Sequence, residues 1–519
     1  MVRSSPVRVV TAAEAGARDR DAIDAGIPSR ALMQRAGAAA AAEIALRLPE
    51  RLAAGAAVYV GPGNNGGDGW VVARALAAAG LRVTVIEPVV ARTPDCLAER
   101  ELALASVQRA SMDDPSPPAG VVVDALLGTG ASGAPRDRIA DAIGAVASAG
   151  ERGAAIVAID LPSGIDADGN VAEPHLRADL TLTFGTLKRA HLLARPACGR
   201  IAVLDIGLGR FAERADDAPS IVDERWVAGQ VPPIAPDAHK GTRGRVVVVG
   251  GAPGMAGAVV LAVRAALHSG AGMVRALVHP DTVETIVRAE PAALVGVWPE
   301  DDAALERDVV RWAHALAIGP GLGATVQTRT LTERLLRAHR GPVLLDADAL
   351  NVFAHEIDAL APLLADRPAL LTPHQVELAR LLGVDADAVG AHRFEMARDA
   401  AARARCAVLL KGVPTIVGAP DGSRLVSASG TPILATGGSG DLLTGMAVTL
   451  LAQMRDAPAA AACAAWVHGR ASELAGRAAA AASARGVALE EVIAQLPLAW
   501  RLDAAPARYP VLLELAPVG

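Results

Sequence analysis

Short, wholly apolar runs that end in glycine or a polar residue recur along this chain, and helical periodicity fills the gaps between them. The first, Ala56-Ala57-Val58-Tyr59-Val60, predicts a buried strand that runs into Gly61-Pro62-Gly63-Asn64-Asn65-Gly66-Gly67-Asp68-Gly69. A helix is expected from there to Ala79, then a strand from Leu81 to Ile86 that ends at Glu87. Ahead of it, Val10 to Leu48 reads as helical, with a long alanine-rich face. Val121–Asp124 and Ala155–Asp160 repeat the device, each ending in an acid and a loop with glycine. Strand, glycine turn, helix and strand in this order predict a doubly wound α/β domain.

A second series begins after the charged stretch 212–233, which lacks a strand pattern and marks the expected boundary. Val246–Val249, Ala315–Ile318, Pro342–Leu345, Ala369–Leu371 and Ala407–Leu410 read as strands, and each leads into glycines or polar groups. The chain of 519 residues is too long for one core, so two domains are expected, 1–215 and 225–519. Val246 to Val263 is uncharged and long enough to consider as a membrane span, but Gly250-Gly251 and Pro253-Gly254 interrupt it, which favours strand–turn–helix.

Composition narrows the function. Apolar residues make up 52% and aromatics only 2%, so alanine, valine and leucine must fill the cores. A net charge of −6, with no basic run, argues against a nucleic-acid partner. Four scattered cysteines, Cys96, Cys198, Cys406 and Cys463, show no metal-binding spacing and suit a reducing cytoplasm. The first residues lack the apolar stretch of a signal peptide. The expectation is a cytoplasmic protein without a membrane partner, assembling as a homo-oligomer.

Candidate chemistry gathers at the strand ends, because a parallel sheet brings these to one edge, where ligands bind. Gly61, Gly63 and Gly66 satisfy G-x-G-x-x-G, and Glu87 stands near the distance expected of a ribose-binding acid. An NAD-dependent dehydrogenase is therefore one candidate. Asn64, Asn65 and Asp68 are unusual for such a turn and point to ligand or cation contacts. Asn65, Asp124, Asp160 and Ser163 follow different strands, so one oxygen-rich site can collect them. In the second half, Thr436-Gly437-Gly438-Ser439-Gly440-Asp441 precedes an apolar helix. Its amides and the helix dipole favour a phosphate, and Asp441 stands at the same spot. A plain helix-cap role for Asp441 stays open at this point. His268, His314 and His468 fall on apolar helix faces and are expected to be structural.

The GPGNNGGDG, VDALLGTG and AIDLPSGIDADGN segments, with LMQRAG and Phe184–Lys188, resemble the NAD(P)H-hydrate epimerase domain over about residues 7–210. The resemblance implies a Rossmann-like three-layer domain. It implies that Asn64, Asn65, Gly66, Gly67, Asp68, Gly128, Thr129, Gly130, Ala131, Ser132, Gly133, Ala134 and Asp160 hold the hydrated nucleotide, with Asp160 as the acid–base residue. It also implies K+ on Asn65, Asp124 and Ser163. From about 233 to 505 the chain resembles the ADP/ATP-dependent NAD(P)H-hydrate dehydratases of the ribokinase-like fold. That implies substrate contacts at Ala258, Gly323, His374 and Asp441, with Asp441 catalytic. It further implies ADP or ATP along Lys411, Gly412, Val413, Pro414, Thr415 and Gly440, together with Mg2+. The chain departs from the pattern at Gln375-Val376, where Pro-Gly is usual, and at Ser439. The implied activity is two-step repair of hydrated NADH and NADPH. A small-molecule kinase forming a stable phosphorylated product is the alternative, and a first domain that only binds a nucleotide or acts as a scaffold is a third.

Overall fold

The computed structural model describes residues 7–114, 117–212, 217–479, 484–503 and 507–518. The expected domain limits at 1–6 and 213–215, like 504–506 and 519, lie outside the described residues. Two compact units form, Met1–Ala218 with Ala505–Val518, and Pro219–Ala504.

The first unit holds strands Ala56–Val60 (β1), Val83–Ile86 (β2), Gln108–Ala110 (β3), Val121–Ala125 (β4), Ala155–Ile159 (β5), Leu180–Phe184 (β6) and Arg200–Leu204 (β7). They lie in the parallel order β7-β6-β5-β4-β1-β2-β3. Every residue of β1, β4 and β5 is buried, which is why these strands read as unbroken apolar runs rather than alternating ones. Asp124 is the exception inside that core, and the site below accounts for it.

Three expectations meet differences here. The helix expected over 10–48 is two helices, Ala12–Asp24 and Ser29–Arg47, after a two-residue strand Val9–Val10 that pairs with Leu187–Lys188. Pro28 divides them, since its ring forbids continuation and suits the start of the second. The expected Asn-Gly turn is already helical, because the helix Asn64–Ala78 begins at Asn64. The glycines there serve close packing: a Cβ on Gly66 would lie 1.9 Å from the Gly61 carbonyl oxygen, and one on Gly61 would lie 1.8 Å from that of Leu126. Finally, Val511–Leu515, expected to close the second domain, pairs antiparallel with β7. Val511 and Leu513 turn inward and Leu512 and Glu514 outward, so the strand covers the open edge of β7 with an alternating pattern. Glu514 is tied to Arg47 at 2.8 Å and to Arg200 at 2.6 Å.

The second unit starts inside the stretch expected to be a boundary. Ser220–Ile221 (β8) and the helix Glu224–Gln230 belong to it. Then come Arg245–Val249 (β9), Met273–Val278 (β10), Leu294–Val297 (β11), Ala315–Ile318 (β12), Val343–Leu345 (β13), Ala369–Leu371 (β14), Ala407–Leu410 (β15), Thr415–Gly418 (β16) and Arg424–Ser427 (β17). Their order is β8-β17-β16-β15-β14-β13-β12-β9-β10-β11, all parallel except β16, which runs antiparallel to both β15 and β17. The helix Ser439–Met454 is almost wholly buried, packed between the helices Ala256–His268 and Ala457–Ala478. The approach is tight because Gly445 offers no side chain: a Cβ there would stand 2.0 Å from the Ala262 carbonyl oxygen. Among the described residues no helix is long and apolar enough to cross a membrane.

Replacing Leu513 with alanine should remove a buried side chain from the covering strand. We expect a loss of about 2–4 kcal/mol in the first unit. Calorimetry should show the transition of that unit moving down while the second unit's stays in place; a shift of the second transition instead would contradict the placement of this strand.

Candidate functional site

In the first unit the ends of β1, β4 and β5 open on a cavity of about 550 Å³ lined by Asn64, Asn65, Asp68, Gly128–Ala131, Asp160 and Lys188, among others. Asp160 closes β5 with φ 66°, a left-handed conformation that non-glycine residues seldom adopt and that is held here by its surroundings. Its Oδ1 accepts from Lys188 Nζ at 2.6 Å and Thr183 Oγ1 at 2.9 Å. Burial alone would raise the Asp160 pKa, but the Lys188 ammonium outweighs it and holds the carboxyl below its ordinary value. His191 Nδ1 accepts from the Lys188 amide at 3.0 Å, which leaves Nε2 to donate to the Asp160 carbonyl at 2.6 Å. Burial pushes the His191 pKa down to about 4, so it is a neutral brace. Asp68 behaves oppositely to Asp160: burial first, then the charges of Asp160 and Asp19, raise its pKa well above the ordinary value. The cavity thus holds two carboxyls whose affinities for a proton are pushed in opposite directions.

Behind Leu126 and Leu127 lie the three residues expected to bind a cation. Asp124 is fully buried; its Oδ1 accepts from Ser163 Oγ at 2.7 Å and Oδ2 from the Ser163 amide at 2.8 Å. Leu127 N–H donates to Ser163 Oγ at 3.0 Å, and Asn65 Nδ2 donates to the Leu127 carbonyl at 2.9 Å. Asn65 Oδ1 is left buried with no partner. Burial lifts the Asp124 pKa to about 6, against the pull of its Ser163 and Leu126 hydrogen bonds. A buried oxygen with no partner and a desolvated carboxylate, linked through the Leu127 and Ser163 hydrogen bonds, are a donor set that fits a hard monovalent cation.

Not every expected residue reaches the cavity. Gly66 and Gly67 are buried in the helix, and Ser132, Gly133 and Ala134 lie exposed farther along their loop. Glu87 is not a ribose acid: its carboxylate is occupied by Arg100 at 2.9 Å and 3.0 Å, with Arg109 at 3.7 Å. Lys188 and Asp19 were not singled out as site residues by the sequence; the strand-end rule overlooks them because they come from β-bridge and helix segments beside the sheet.

The second unit assembles its residues at the same edge of its own sheet. Asp346, closing β13, is buried; Oδ1 accepts from Lys411 Nζ at 2.8 Å and Oδ2 from Thr444 Oγ1 at 2.6 Å. Glu377 lies 3.7 Å from the same ammonium. Burial alone would lower the Lys411 pKa, but these acids outweigh it and raise it. A Cβ on Gly440 would stand 3.3 Å from Lys411 Nζ, so the anion turn meets this lysine. In that turn the Ser439 amide donates to Thr436 O and the Asp441 amide to Gly438 O. Among the described residues the amides of Gly437, Gly438 and Gly440 have no such partner. Gly438, at φ 96°, makes the left-handed turn into the helix. Burial and then the Asp346 charge raise the Asp441 pKa to about 7, with Lys411 pulling the other way.

His374 caps the helix Gln375–Leu382: Nδ1 accepts from the Val376 and Glu377 amides at 3.1 Å and 3.3 Å. Nε2 lies 3.6 Å from Glu377 Oε1. The Gly323 amide donates to Asp348 Oδ2 at 2.8 Å, and its loop closes on Ala258, 3.2 Å from where a Gly321 Cβ would be. Beyond Lys411, the loop exposes Gly412 and Val413, buries Pro414, and returns Thr415 Oγ1 to the Gly412 carbonyl at 2.9 Å. Asp346, Glu377 and Thr444 are functional neighbours to which the sequence reading gave no role; D-A-D at the end of a strand was the available signal. Of the histidines expected to be structural, His468 is buried in its helix, His268 is exposed at a helix end, and His314 precedes β12 outside any helix.

A profile of NAD(P)H-hydrate dehydratase matches residues 246–497, and one of the YjeF-related protein N-terminus matches residues 29–190. The chain is similar to the bifunctional NAD(P)H-hydrate repair enzyme Nnr of Moorella thermoacetica, 37% identical over 500 residues that span 90% of this chain and 92% of the relative. It is also similar to Nnr of Escherichia coli, 34% identical over 88% of this chain and 87% of the relative. A solved ADP/ATP-dependent NAD(P)H-hydrate dehydratase of Bacillus subtilis, co-crystallised with ATP and Mg2+, is 30% identical over 54% of this chain and 98% of its own, with a TM-score of 0.46. Identity at this level over nine-tenths of both chains places the whole sequence, both units included, in one family: the chain belongs to the bifunctional NAD(P)H-hydrate repair enzymes.

Proposed function

We propose that the first unit interconverts the R and S hydrates of NADH and NADPH, and that the second dehydrates the S hydrate with ADP or ATP. The observation that carries this reading is Asp441: a half-buried carboxyl with its pKa pushed up to about 7, at the start of a helix whose glycine amides are unoccupied. Hydroxide leaves a ring carbon poorly, so the hydroxyl has to be converted into a better leaving group. The hydroxyl oxygen attacks the terminal phosphorus of the nucleotide as the shortened nucleotide departs. Asp441 takes the hydroxyl proton, and the Gly437, Gly438 and Gly440 amides hold the charge of the transferring group. The ring nitrogen's lone pair then expels phosphate, and loss of the neighbouring carbon's proton restores the dihydropyridine. When bound with the nucleotide, Mg2+ would supply positive charge that offsets the phosphates. Among the described residues no group of three His, Cys, Asp or Glu side chains could hold a metal unaided.

In the first unit Asp160, kept ionised by Lys188, is the proton acceptor, and Thr183 and His191 fix its geometry. Asn65 Oδ1, the Asp124 carboxylate and Ser163 Oγ would hold K+, which supplies the charge that offsets the buried carboxylate. Four cysteines, all buried and unpaired, suit work in the cytoplasm. The full chain supplied with S hydrate and ATP should release one NADH and one free phosphate for each ATP consumed. A phosphorylated product that accumulates instead would support a kinase.

Asp441→Asn should slow dehydration roughly 10²–10⁴-fold while nucleotide binding survives, because the amides remain. In the wild type, dehydratase kcat/KM should climb with pH and level off above about 7, since the acceptor works only when deprotonated. A flat profile through that window would remove Asp441 from the role.

Asp124→Ala should weaken epimerisation and abolish its response when a bulky organic cation replaces K+, leaving dehydration of the S hydrate unchanged. Protons compete for the same carboxylate, so more K+ should be needed as pH falls through about 6. Wild-type epimerisation indifferent to K+ would refute the site.

A further inference from the structure

Arg393 opens the helix Arg393–Ala404, which packs on β15 and β16 and leads into β15 and the Lys411–Thr415 loop. Its place is therefore the same sheet edge as the dehydratase site. The side chain is only 8% exposed, and Nη2 donates to the Lys411 carbonyl at 3.2 Å. Nε is buried with no partner, and that carbonyl is the one polar partner of the guanidinium among the described residues. The group lies directly against Gly412, where φ is 139° and a Cβ would be 2.3 Å from Nη2.

A guanidinium stays protonated at neutral pH, so burial here leaves an uncompensated charge, which proteins avoid unless a counter-ion arrives. Lys411, one residue from Gly412, shows the contrast. Its ammonium is met by Asp346 at 2.8 Å and approached by Glu377 at 3.7 Å, so the folded chain already neutralises it. Among the described residues no acid pairs with Arg393. Lys411 also links it to the anion turn, since Gly440 comes against the same ammonium. At this corner an unneutralised guanidinium thus lies on the Gly412 side and unoccupied amides on the Gly440 side.

We propose that Arg393 binds a phosphate of the adenine nucleotide at the Lys411–Thr415 loop, and that this phosphate is the counter-ion the folded chain does not supply. The inference rests on the nucleotide reading given above. The planar fork of a guanidinium suits two phosphate oxygens, which a lysine would meet only as a point charge.

Calorimetric titration of the full-length wild type, Arg393→Lys and Arg393→Met with adenosine, ADP and ATP tests it. Arg393→Met should weaken ADP and ATP by roughly 10- to 100-fold and leave adenosine unchanged, while Arg393→Lys recovers part of the loss. Equal losses for adenosine and ADP would mean that Arg393 only props the loop, and would overturn the proposal. ADP affinity unchanged in Arg393→Met would overturn it while leaving the nucleotide reading intact; no adenine-nucleotide binding by the wild type would overturn both. Should Arg393→Met not fold, a crystal of the wild type with ADP decides: a guanidinium nitrogen within about 3.2 Å of a phosphate oxygen supports the role, and phosphates placed out of its reach refute it.

Discussion

Asp346 lies buried at the end of β13 with both carboxylate oxygens occupied, one by Lys411 Nζ at 2.8 Å and the other by Thr444 Oγ1 at 2.6 Å. An ionised carboxylate removed from water without such partners is disfavoured by several kcal/mol. The pairing therefore fixes three segments at once: the end of β13, the loop after β15 and the helix that carries Asp441. Among the described residues Asp441 has no ion pair of its own. It is left beside Asp346, which already holds the lysine, and its pKa rises to about 7. One compensated acid and one raised toward neutrality thus stand at the same edge, which is the contrast the proposed proton transfer by Asp441 rests on.

The first unit meets the same requirement with different partners. Asp160 has Lys188 at 2.6 Å and is held below its ordinary pKa, whereas Asp68 feels the same lysine only weakly against burial and the charges of Asp160 and Asp19, and its pKa rises. Asp124 has hydrogen bonds from Ser163 and the Leu126 amide and, among the described residues, no cation as a partner, so its buried carboxyl is pushed up to about 6. Both units place these acids at the carboxyl ends of parallel strands, where short loops converge and a ligand can enter.

Much of this was legible in the sequence. The limits of β1, β12, β14 and β15 coincide with apolar runs, because strands buried on both faces have no polar face to interrupt the pattern. Asp124, Asp160 and Asp441 stood out as acids at strand ends or glycine turns. The C-terminal strand was not legible: Val511–Leu515 is a short alternating segment whose partner, β7, is some three hundred residues earlier, and no local pattern encodes such a pairing. β8 was missed inside a charged stretch because two residues are too few for periodicity. Glu87 misled for the opposite reason, since spacing suggested a ribose contact and only the fold reveals Arg100 against it. Arg393 carries no motif, and what marks it is burial of a guanidinium whose Nε has no partner.

The central claim is that two separate edges perform two separate chemistries on one damaged cofactor. Following both NADH-hydrate epimers by chromatography, with the full-length protein and first without any nucleotide, tests it most directly. The account predicts that an R-enriched or S-enriched sample relaxes to one epimer ratio with no NADH formed, and that adding ADP or ATP then drains the S epimer with R following. Epimers that stay fixed until nucleotide is added, or loss of both at equal rates with no prior relaxation, would contradict it.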